Sequence, residues 1–152
     1  MKIRKFRKQD AKKVEYLIKQ AQLITLKGFY PKKILDFFCK RNTVSKIIEK
    51  SKEIDLFVGV EDDKILGISG LKENQVRKFY VNPRYQGKGV GRKLMDNLEK
   101  IAKKRKIKKL ISHSTLYAEG FYKKLGFKRI KRITTNKNNI KFDEIVMEKR
   151  LK

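Results

Sequence analysis

Residues 76–94 of the sequence, VRKFYVNPRYQGKGVGRKL, contain the pattern that decides the fold. The stretch begins with β-branched and aromatic side chains, which favour a strand. The Asn82-Pro83 pair ends that strand because proline has no backbone N–H to donate to a neighbouring strand. A glycine-rich loop follows at residues 86–91. Apolar side chains then recur at helical spacing: Val90, Leu94, Leu98 and Ile101. The stretch therefore predicts a strand, a loop and a long helix in that order.

The residues on either side of this stretch extend it into a sheet. Residues 110–114 read as a further strand beyond the basic run at 103–109. A strand, a helix and a second strand form a right-handed crossover, so strands 76–81 and 110–114 should lie parallel. Upstream, strand-like runs at 55–60 and 64–71 connect to 76–81 through polar turns. These turns indicate an antiparallel meander.

The first third of the chain is mostly helical in its pattern. Residues 2–6 read as a short strand, and Asp10 is the expected N-cap of an amphipathic helix. A second helical pattern begins after Pro31, and a third runs from about residue 44 to residue 52.

The end of the chain returns to strands. A short helix is expected at about 117–125, closed by Gly126. Strands are expected at 127–133 and 142–151, and the polar stretch 134–141 between them is expected to be a mobile hairpin loop. Together the elements predict a mixed α+β fold in a single domain spanning residues 1–152.

Composition limits the classes of protein that the sequence can encode. The 152 residues include 39% hydrophobic side chains, which suffices for one core. Nothing approaches the roughly 20 apolar residues of a membrane span, and the start has no signal-peptide pattern, so we expect a cytoplasmic protein without a membrane partner. The single Cys39 and the single His113 provide neither a disulfide nor a zinc ligand set, so we expect no metal.

The net charge is +26, from 42 Lys and Arg against 16 Asp and Glu. Such a charge attracts polyanions and repels strongly basic peptides, so some partners of the chain should be anionic. The same charge is also explained by a Lys-rich composition whose side chains are simply solvated. Both interpretations stay open at this point.

The loop at residues 86–91 has the features of a phosphate site. It lies between a strand and a helix, where backbone N–H groups and the positive end of the helix converge on an anion. Its glycines allow a phosphate to approach the backbone closely. The spacing lacks the Lys-Ser/Thr pair of a P-loop and the Gly-x-Gly-x-x-Gly of a dinucleotide-binding fold.

The strand, Asn-Pro turn, loop and helix of residues 79–94 resemble motif A of the GCN5-related N-acetyltransferases (GNAT), with its Gln/Arg-x-x-Gly-x-Gly/Ala core. The resemblance implies a central, mostly antiparallel sheet of about seven strands flanked by helices, with the parallel pair splayed around acetyl-CoA. It implies that the strand end pairs with the pantetheine arm: Phe79, Tyr80 and Val81. It also implies that the loop holds the pyrophosphate: Gln86, Gly87, Lys88, Gly89, Val90, Gly91 and Arg92.

Residues 114–127, STLYAEGFYKKLGF, are similar to motif B of the same family. Within this resemblance, Ala118 lies against the cofactor and the hydroxyl of Tyr122 faces the sulfur of CoA as general acid. Many members carry Asn near the start of the motif, where this chain has Ser114 and Thr115. Either hydroxyl is a candidate to bond the pantetheine arm.

Acetyl transfer from a thioester requires a neutral amine and a leaving thiolate. In the histone-acetylating branch a strand glutamate is the base, but its place falls near Gln75, which cannot accept a proton. The remaining candidates for the base are Glu73, His113, Glu119, Asp143 and a water chain. The expected oxyanion donor is a backbone N–H near residues 79–81.

The resemblance thus predicts an N-acetyltransferase that moves an acetyl group from acetyl-CoA to a primary amine. The acceptor stays open among small amines, protein N-termini and amines bound to a polyanion. Its binding surface in this family comes largely from variable regions, here about residues 20–52 and 133–142. The alternative is a basic nucleic-acid- or ribosome-associated binding module on the same fold, which would use residues 103–109 and 128–141.

Overall fold

A seven-stranded mixed sheet forms the centre of the computed structural model, which describes residues 1–152. The strand order is β1-β2-β3-β4-β5-β7-β6, and every neighbouring pair is antiparallel except β4 and β5. The strands are β1 (Lys2–Lys5), β2 (Asp55–Glu61), β3 (Lys64–Lys72), β4 (Gln75–Val81), β5 (Lys109–Ser114), β6 (Lys128–Lys137) and β7 (Ile140–Arg150). The predicted fold class, with its parallel pair in a mostly antiparallel sheet, is confirmed.

Five α-helices flank the sheet: α1 (Ala11–Thr25), α2 (Lys32–Lys40), α3 (Val44–Lys50), α4 (Val90–Lys104) and α5 (Glu119–Lys124). Short 3-10 turns precede α1 and follow β4, at Lys8–Asp10 and Pro83–Tyr85. None of the helices combines the length and the apolarity needed to cross a bilayer. No group of three or more His, Cys, Asp or Glu side chains gathers into a metal-binding arrangement.

The helices cover opposite faces of the sheet with separate apolar clusters. On one face, α1 and α3 bury Leu17, Ile18 and Ile47 against side chains of β2 and β3. On the other face, α4 buries Met95 and Leu98 against β3, β5 and β7. Full burial of such side chains contributes about 1.5–3 kcal/mol each. The two clusters fix the sheet between the helices and so set where each strand end lies.

Strands β4 and β5 pair only at their beginnings. Gln75 lies opposite Ile111 and Val76 opposite Ser112, and no pairing continues beyond them. The other edge of β5 pairs with β7 over the whole length of β5. Because β4 stays with β3 while β5 stays with β7, the carboxyl ends of the parallel strands diverge and open a wedge.

A bulge lies in β4 at the start of this divergence. The register between β3 and β4 shifts between Ile68 and Gly70, and Lys78 has a left-handed φ of 52°. A bulge sharpens the local twist of a strand and redirects the side chains that follow. The bulge therefore helps to turn the end of β4 away from β5.

One local prediction was wrong, and a second was confirmed in its position but not in its side-chain bond. The polar stretch 134–141 is not a mobile loop, because β6 continues to Lys137, β7 begins at Ile140, and only Asn138 and Asn139 form the turn. Their φ angles of 53° and 63° are the left-handed values of a tight hairpin turn, which asparagine tolerates. The hairpin is held further by a hydrogen bond of 2.7 Å from the Thr134 hydroxyl to Asp143.

Asp10 precedes α1 as predicted, but its side chain makes no capping bond to that helix. Its carboxylate instead accepts a 2.7 Å hydrogen bond from the backbone N–H of Arg7 and a 2.8 Å bond from the Arg4 guanidinium. Asp10 therefore closes the preceding 3-10 turn and ties it to β1.

Gly67 in β3 allows α4 to approach the sheet. A Cβ atom at Gly67 would lie 2.7 Å from Cδ1 of Leu94 and 3.0 Å from the carbonyl oxygen of Tyr80. We expect Gly67→Ala to destabilise the fold by about 1–3 kcal/mol through overpacking. That change lowers the Tm by roughly 2–4 °C per kcal/mol in a chain of this length, measured by calorimetry. The matched control is Gly120→Ala in α5, where the added Cβ meets nothing within 4 Å. An unchanged Tm for Gly67→Ala would contradict the close approach.

Candidate active site

The wedge between β4 and β5 holds a cleft of about 740 Å³. Its walls come from the end of β4, the loop that follows, the segment from β5 to α5, and the end of α1. All the predicted cofactor residues except Lys88 line it: Phe79, Tyr80, Val81, Gln86, Gly87, Gly89, Val90, Gly91, Arg92, Ser114, Thr115, Ala118 and Tyr122. The ammonium group of Lys88 instead lies 5.7 Å from the centre of the Tyr85 ring.

The loop before α4 presents free backbone donors to the cleft. Gly87 and Gly89 have φ angles of 77° and 83°, left-handed values that side-chain-bearing residues rarely adopt. The amides of residues 87–92 donate no hydrogen bond within the protein. They lie at the N-terminus of α4, where the helix dipole adds a partial positive charge. This arrangement fits a phosphate group, because clustered amides at a helix N-terminus bind anions.

Gly91 brings α4 and α5 together at the side of the cleft. A Cβ atom at Gly91 would lie 2.7 Å from Cζ of Phe121, so the Phe121 ring occupies the space that the glycine leaves. The ring centre of Phe79 lies 5.5 Å from that of Phe121 and 6.2 Å from that of Tyr122. These aromatic contacts join the end of β4 to α5 and form an apolar wall.

The end of β4 offers an unpaired backbone edge to the cleft. Residues Tyr80 and Val81 pair with Ile68 and Gly67 of β3 on one side. On the other side, β5 is paired only with Gln75 and Val76. An extended chain with amide groups would find hydrogen-bonding partners along this open edge, as in strand addition.

Tyr122 carries one of the buried hydroxyl groups of the cleft. It is 5% exposed, lines the cleft and packs against Phe127 with a ring separation of 5.2 Å. Burial raises the pKa of Tyr122 to about 12, and a hydrogen bond with Ser112 opposes that rise in part. The hydroxyl therefore keeps its proton throughout the neutral pH range and can donate a hydrogen bond.

The hydroxyl groups of Ser114 and Thr115 differ in the hydrogen bonds that they can still make with a ligand. The Ser114 hydroxyl donates a 2.7 Å hydrogen bond to the carbonyl oxygen of Thr115. The Thr115 hydroxyl oxygen accepts a 3.2 Å bond from the N–H of Ala118 at the start of α5. The Ser114 hydroxyl can therefore only accept a hydrogen bond from a ligand, whereas the Thr115 hydroxyl keeps its hydrogen to donate, so the two candidates for a contact with the pantetheine arm are not equivalent.

A family model described as an acetyltransferase (GNAT) domain matches residues 6–151. The chain belongs to the GNAT acetyltransferase family. The resemblance inferred from the loop and from the Tyr122 segment is thereby confirmed, and the wedge of the sheet is the corresponding feature of the fold.

Solved GNAT structures share this architecture across the whole chain. A GCN5-related N-acetyltransferase from Rhodopseudomonas palustris has a TM-score of 0.93 at 22% identity, over 99% of this chain and 95% of that one. The PaiA N-acetyltransferase from Thermoplasma acidophilum, solved in complex with coenzyme A, has a TM-score of 0.80 at 22% identity, over 98% of each chain. An N-acetyltransferase from Staphylococcus aureus has a TM-score of 0.72 at 20% identity, over 99% and 98%. At these identities the likeness concerns the fold.

Among the acidic candidates for the base in this GNAT domain, none lines the cleft. Glu119 forms ion pairs with Lys123 at 3.4 Å and Arg129 at 3.3 Å. Asp143 accepts hydrogen bonds from Thr134 and Arg132, which hold the pKa of its carboxyl below the usual value. Glu73 lies exposed in the turn between β3 and β4.

His113 does line the cleft, but its side chain is 46% exposed and its Nδ1 lies 3.9 Å from Glu144. His113 therefore lies near solvent, and a second titratable side chain that lines the cleft is more buried.

Lys78 is that second group, and nothing in its local sequence distinguishes it from other strand lysines. It lines the cleft at the bulge of β4, and its ammonium nitrogen hydrogen-bonds to Oδ1 of Asn42. Burial, together with the charges of Lys50, Arg41 and Arg77, lowers the pKa of Lys78 to about 6. At pH 7 this lysine is a neutral amine that can accept a proton. Only the bulge, a tertiary feature, turns the residue into the cleft.

The protonation of Lys78 should be visible in the stability of the fold. Between about pH 6 and pH 10.5 the unfolded chain binds a proton at this residue that the folded chain does not, so Lys78 makes stability rise with pH. Lys78→Met removes this effect. The substitution removes the hydrogen bond to Asn42 at every pH. The pH-dependent part of the difference in stability therefore comes from the charge of Lys78 alone. The free energy of unfolding of Lys78→Met relative to the natural chain should therefore fall by roughly 2–4 kcal/mol from pH 6 to pH 9.

The measurement is urea unfolding at several pH values, with Lys104→Met at an exposed position of α4 as the control. The control should show no pH-dependent difference from the natural chain. A flat difference for Lys78→Met would mean that Lys78 is charged in the folded state.

Proposed function

We propose that this chain is an N-acetyltransferase that uses acetyl-CoA and acts on an amine. The observation that carries the proposal is the row of unpaired amides at residues 87–92, at the mouth of the wedge between β4 and β5. A binding module for nucleic acid has no need of such a row inside a cleft. Support also comes from the PaiA relative, which was solved with coenzyme A in place.

The residues of the cleft fit the chemical parts of CoA. The amides of residues 87–92 are donors for the pyrophosphate, and the exposed edge of β4 at Phe79, Tyr80 and Val81 offers partners for the amides of the pantetheine arm. Acetyl-CoA supplies an acetyl group activated as a thioester. A backbone N–H at the same edge is the natural donor to the carbonyl oxygen of that group.

Tyr122 is the proton-bearing group of the cleft in this proposal. A thiol like that of cysteine has a pKa of about 8.5, so full transfer of a proton from a hydroxyl near 12 would be uphill by about 5 kcal/mol. The hydroxyl therefore acts best as a hydrogen-bond donor that stabilises charge on the departing sulfur. Its apolar surroundings strengthen that bond, because little water competes for it.

The acceptor must lose a proton before it can attack. A primary amine with a pKa near 10.4 is mostly protonated at pH 7, a handicap of roughly 4–5 kcal/mol. The surroundings of Lys78 address this problem. The burial and the cations that disfavour charge on Lys78 also disfavour charge on an amine held beside it.

Gly89→Glu should reduce the affinity for CoA by at least about 100-fold, measured by calorimetry. The change strains a residue whose φ is 83° and puts a negative charge among the amides that would receive the pyrophosphate. Gly28→Glu is the matched control, because Gly28 has a similar φ of 91°, has nothing within 4 Å of an added Cβ, and lies outside the cleft. Unchanged CoA affinity in Gly89→Glu would show that the cofactor binds elsewhere.

Tyr122→Phe should lower kcat by roughly 10- to 100-fold and leave the Kd for acetyl-CoA nearly unchanged, since the ring and its packing remain. Because the pKa of Tyr122 is about 12, the loss should be the same across the range of about pH 6 to pH 9. Steady-state kinetics and calorimetry check the two parts, with Tyr16→Phe on the exposed side of α1 as control. A kcat equal to that of the natural chain would remove Tyr122 from the chemistry, and a large rise in Kd would make it a binding residue.

A further inference from the structure

Basic side chains from several elements gather around the amine of Lys78. We call Arg41, Lys50, Arg77, Lys78 and Lys137 the basic cluster. They come from the ends of α2 and α3, from the bulge of β4 and from the end of β6. Burial is the largest cause that lowers the pKa of Lys78, and Lys50, Arg41 and Arg77 also lower it. Burial likewise lowers the pKa of Lys137, together with Arg41 and Arg77. The fold thus concentrates cations that lie far apart in the sequence around Lys78, the member of the basic cluster that lines the cleft.

No carboxylate of the chain neutralises the basic cluster. None of its members takes part in an ion pair, whereas other basic groups pair with Asp and Glu at distances from 2.7 to 3.9 Å. Glu144 raises the pKa of Lys137, but the Oε1 atom of Glu144 already accepts a 2.7 Å hydrogen bond from the Thr135 hydroxyl. The side chains of Lys50 and Lys78 even contact each other, so like charges meet. Such an arrangement is unfavourable unless an anion joins it.

Arg41 is held in place without using its hydrogen-bond donors. Its guanidinium carbon lies 5.5 Å from the ring centre of Phe37 and 6.0 Å from that of Phe142. The guanidinium donates no hydrogen bond within the protein, and neither does that of Arg77. An arginine fixed by aromatic rings with free donors is well suited to bind a carboxylate or a phosphate.

Gln22 supplies an unsatisfied acceptor in the same cleft. It is 2% exposed, and its Nε2 donates a 3.1 Å hydrogen bond to the hydroxyl of Tyr80. Its Oε1 atom is buried and has no partner. A buried oxygen without a donor is destabilising, so a ligand N–H at this point would be favoured. The cleft therefore offers an acceptor for an amine at Gln22, and the basic cluster around Lys78 offers donors for an anion.

We propose that the acceptor is an amine that also carries a carboxylate or a phosphate, with the anion bound by Arg41, Lys50 and Arg77 and the amine directed to Gln22. This inference rests on the proposed function, since it names the class of acceptor. It also gives Lys78 a defined part. An anion on the basic cluster stabilises the protonated form of Lys78, so a proton that leaves the acceptor nitrogen has a place on its Nζ atom.

The first test compares acceptors that differ only in the anion. The pairs are β-alanine with β-alaninamide, for the carboxylate, and phosphoethanolamine with ethanolamine, for the phosphate. For the natural chain, kcat/KM should be at least about 10-fold higher for the anionic member of one pair, and that pair identifies the anion. Arg77→Gln and Arg41→Gln should remove this preference, because they should reduce kcat/KM for the anionic member far more than for the neutral member. Lys104→Gln, on the exposed face of α4, is the control.

The second test measures binding without turnover. Inorganic phosphate and acetate are added to the chain saturated with CoA, so that the loop at residues 87–92 is already filled. One of the two anions should raise the Tm of the natural chain and of Lys104→Gln. The same anion should raise the Tm of Arg77→Gln by less than half as much.

The outcomes separate the inference from the proposed function. If the neutral members are acetylated as well as the anionic ones and the arginine variants lower both equally, the inference is wrong while the acetyltransferase proposal stands. If the chain neither binds CoA nor acetylates any amine, the proposed function is wrong. In that case the rise in Tm that phosphate or acetate causes in Gly89→Glu, measured in buffer without CoA, still decides whether an anion binds at Arg77. An equal rise in the double variant Gly89→Glu and Arg77→Gln would overturn the inference.

Discussion

The pairing of β4 with β5 at Gln75 and Val76 alone is the constraint on which the rest of the site depends. Two parallel strands that stayed paired along their length would close the sheet and leave no cleft. Here each strand is held by a different neighbour, β4 by β3 and β5 by β7, so their ends must diverge. The divergence exposes the edge of β4, directs the loop before α4 across the opening, and leaves space that α5 borders with Phe121 and Tyr122.

The bulge at Lys78 links this architecture to the chemistry. It lies where β4 begins to turn away, and it gives Lys78 a left-handed backbone conformation. The same irregularity therefore helps to open the cleft and aims an amine into it. The two halves of the cleft then differ in character. The α5 side is apolar and raises the pKa of Tyr122, whereas the side at Lys78 adjoins the basic cluster, which together with burial lowers the pKa of Lys78. A proton-donating group and a proton-accepting group thus line one cleft, and the surroundings of each set its pKa.

Much of this could be predicted from local sequence. The glycines at positions 87 and 89, followed by helical periodicity, predicted a loop entering a long helix, because left-handed glycines and an apolar stripe are properties of nearby residues. The family and the fold class are confirmed. Tyr122 and nearly all the residues expected to contact the cofactor line one cleft, and their contacts with acetyl-CoA stay a prediction.

Other features depend on contacts between distant residues and were missed. In the sequence, Lys78 is one of several polar residues of a strand. Its hydrogen bond to Asn42 and its proximity to Arg41 and Lys50 cannot be predicted from nearby residues. The prediction of a mobile loop at 134–141 was wrong because it rested on the polarity of these residues. Asn138 and Asn139 form a tight turn, and the other residues of the stretch pair across the two strands. Asp10 was expected to cap α1, but Arg4 and Arg7 draw its carboxylate the other way.

We propose that the loop at residues 87–92 and the open edge of β4 bind CoA. A titration of the ¹⁵N-labelled chain with CoA, followed through the backbone amide signals, tests this binding site. The largest shifts should occur at residues 87–92, where the amides change from water to phosphate partners, with further shifts at Phe79, Tyr80 and Val81. Shifts concentrated instead at the second, smaller cavity around Ile48, Ser51 and Leu56, with the loop unchanged, would contradict it.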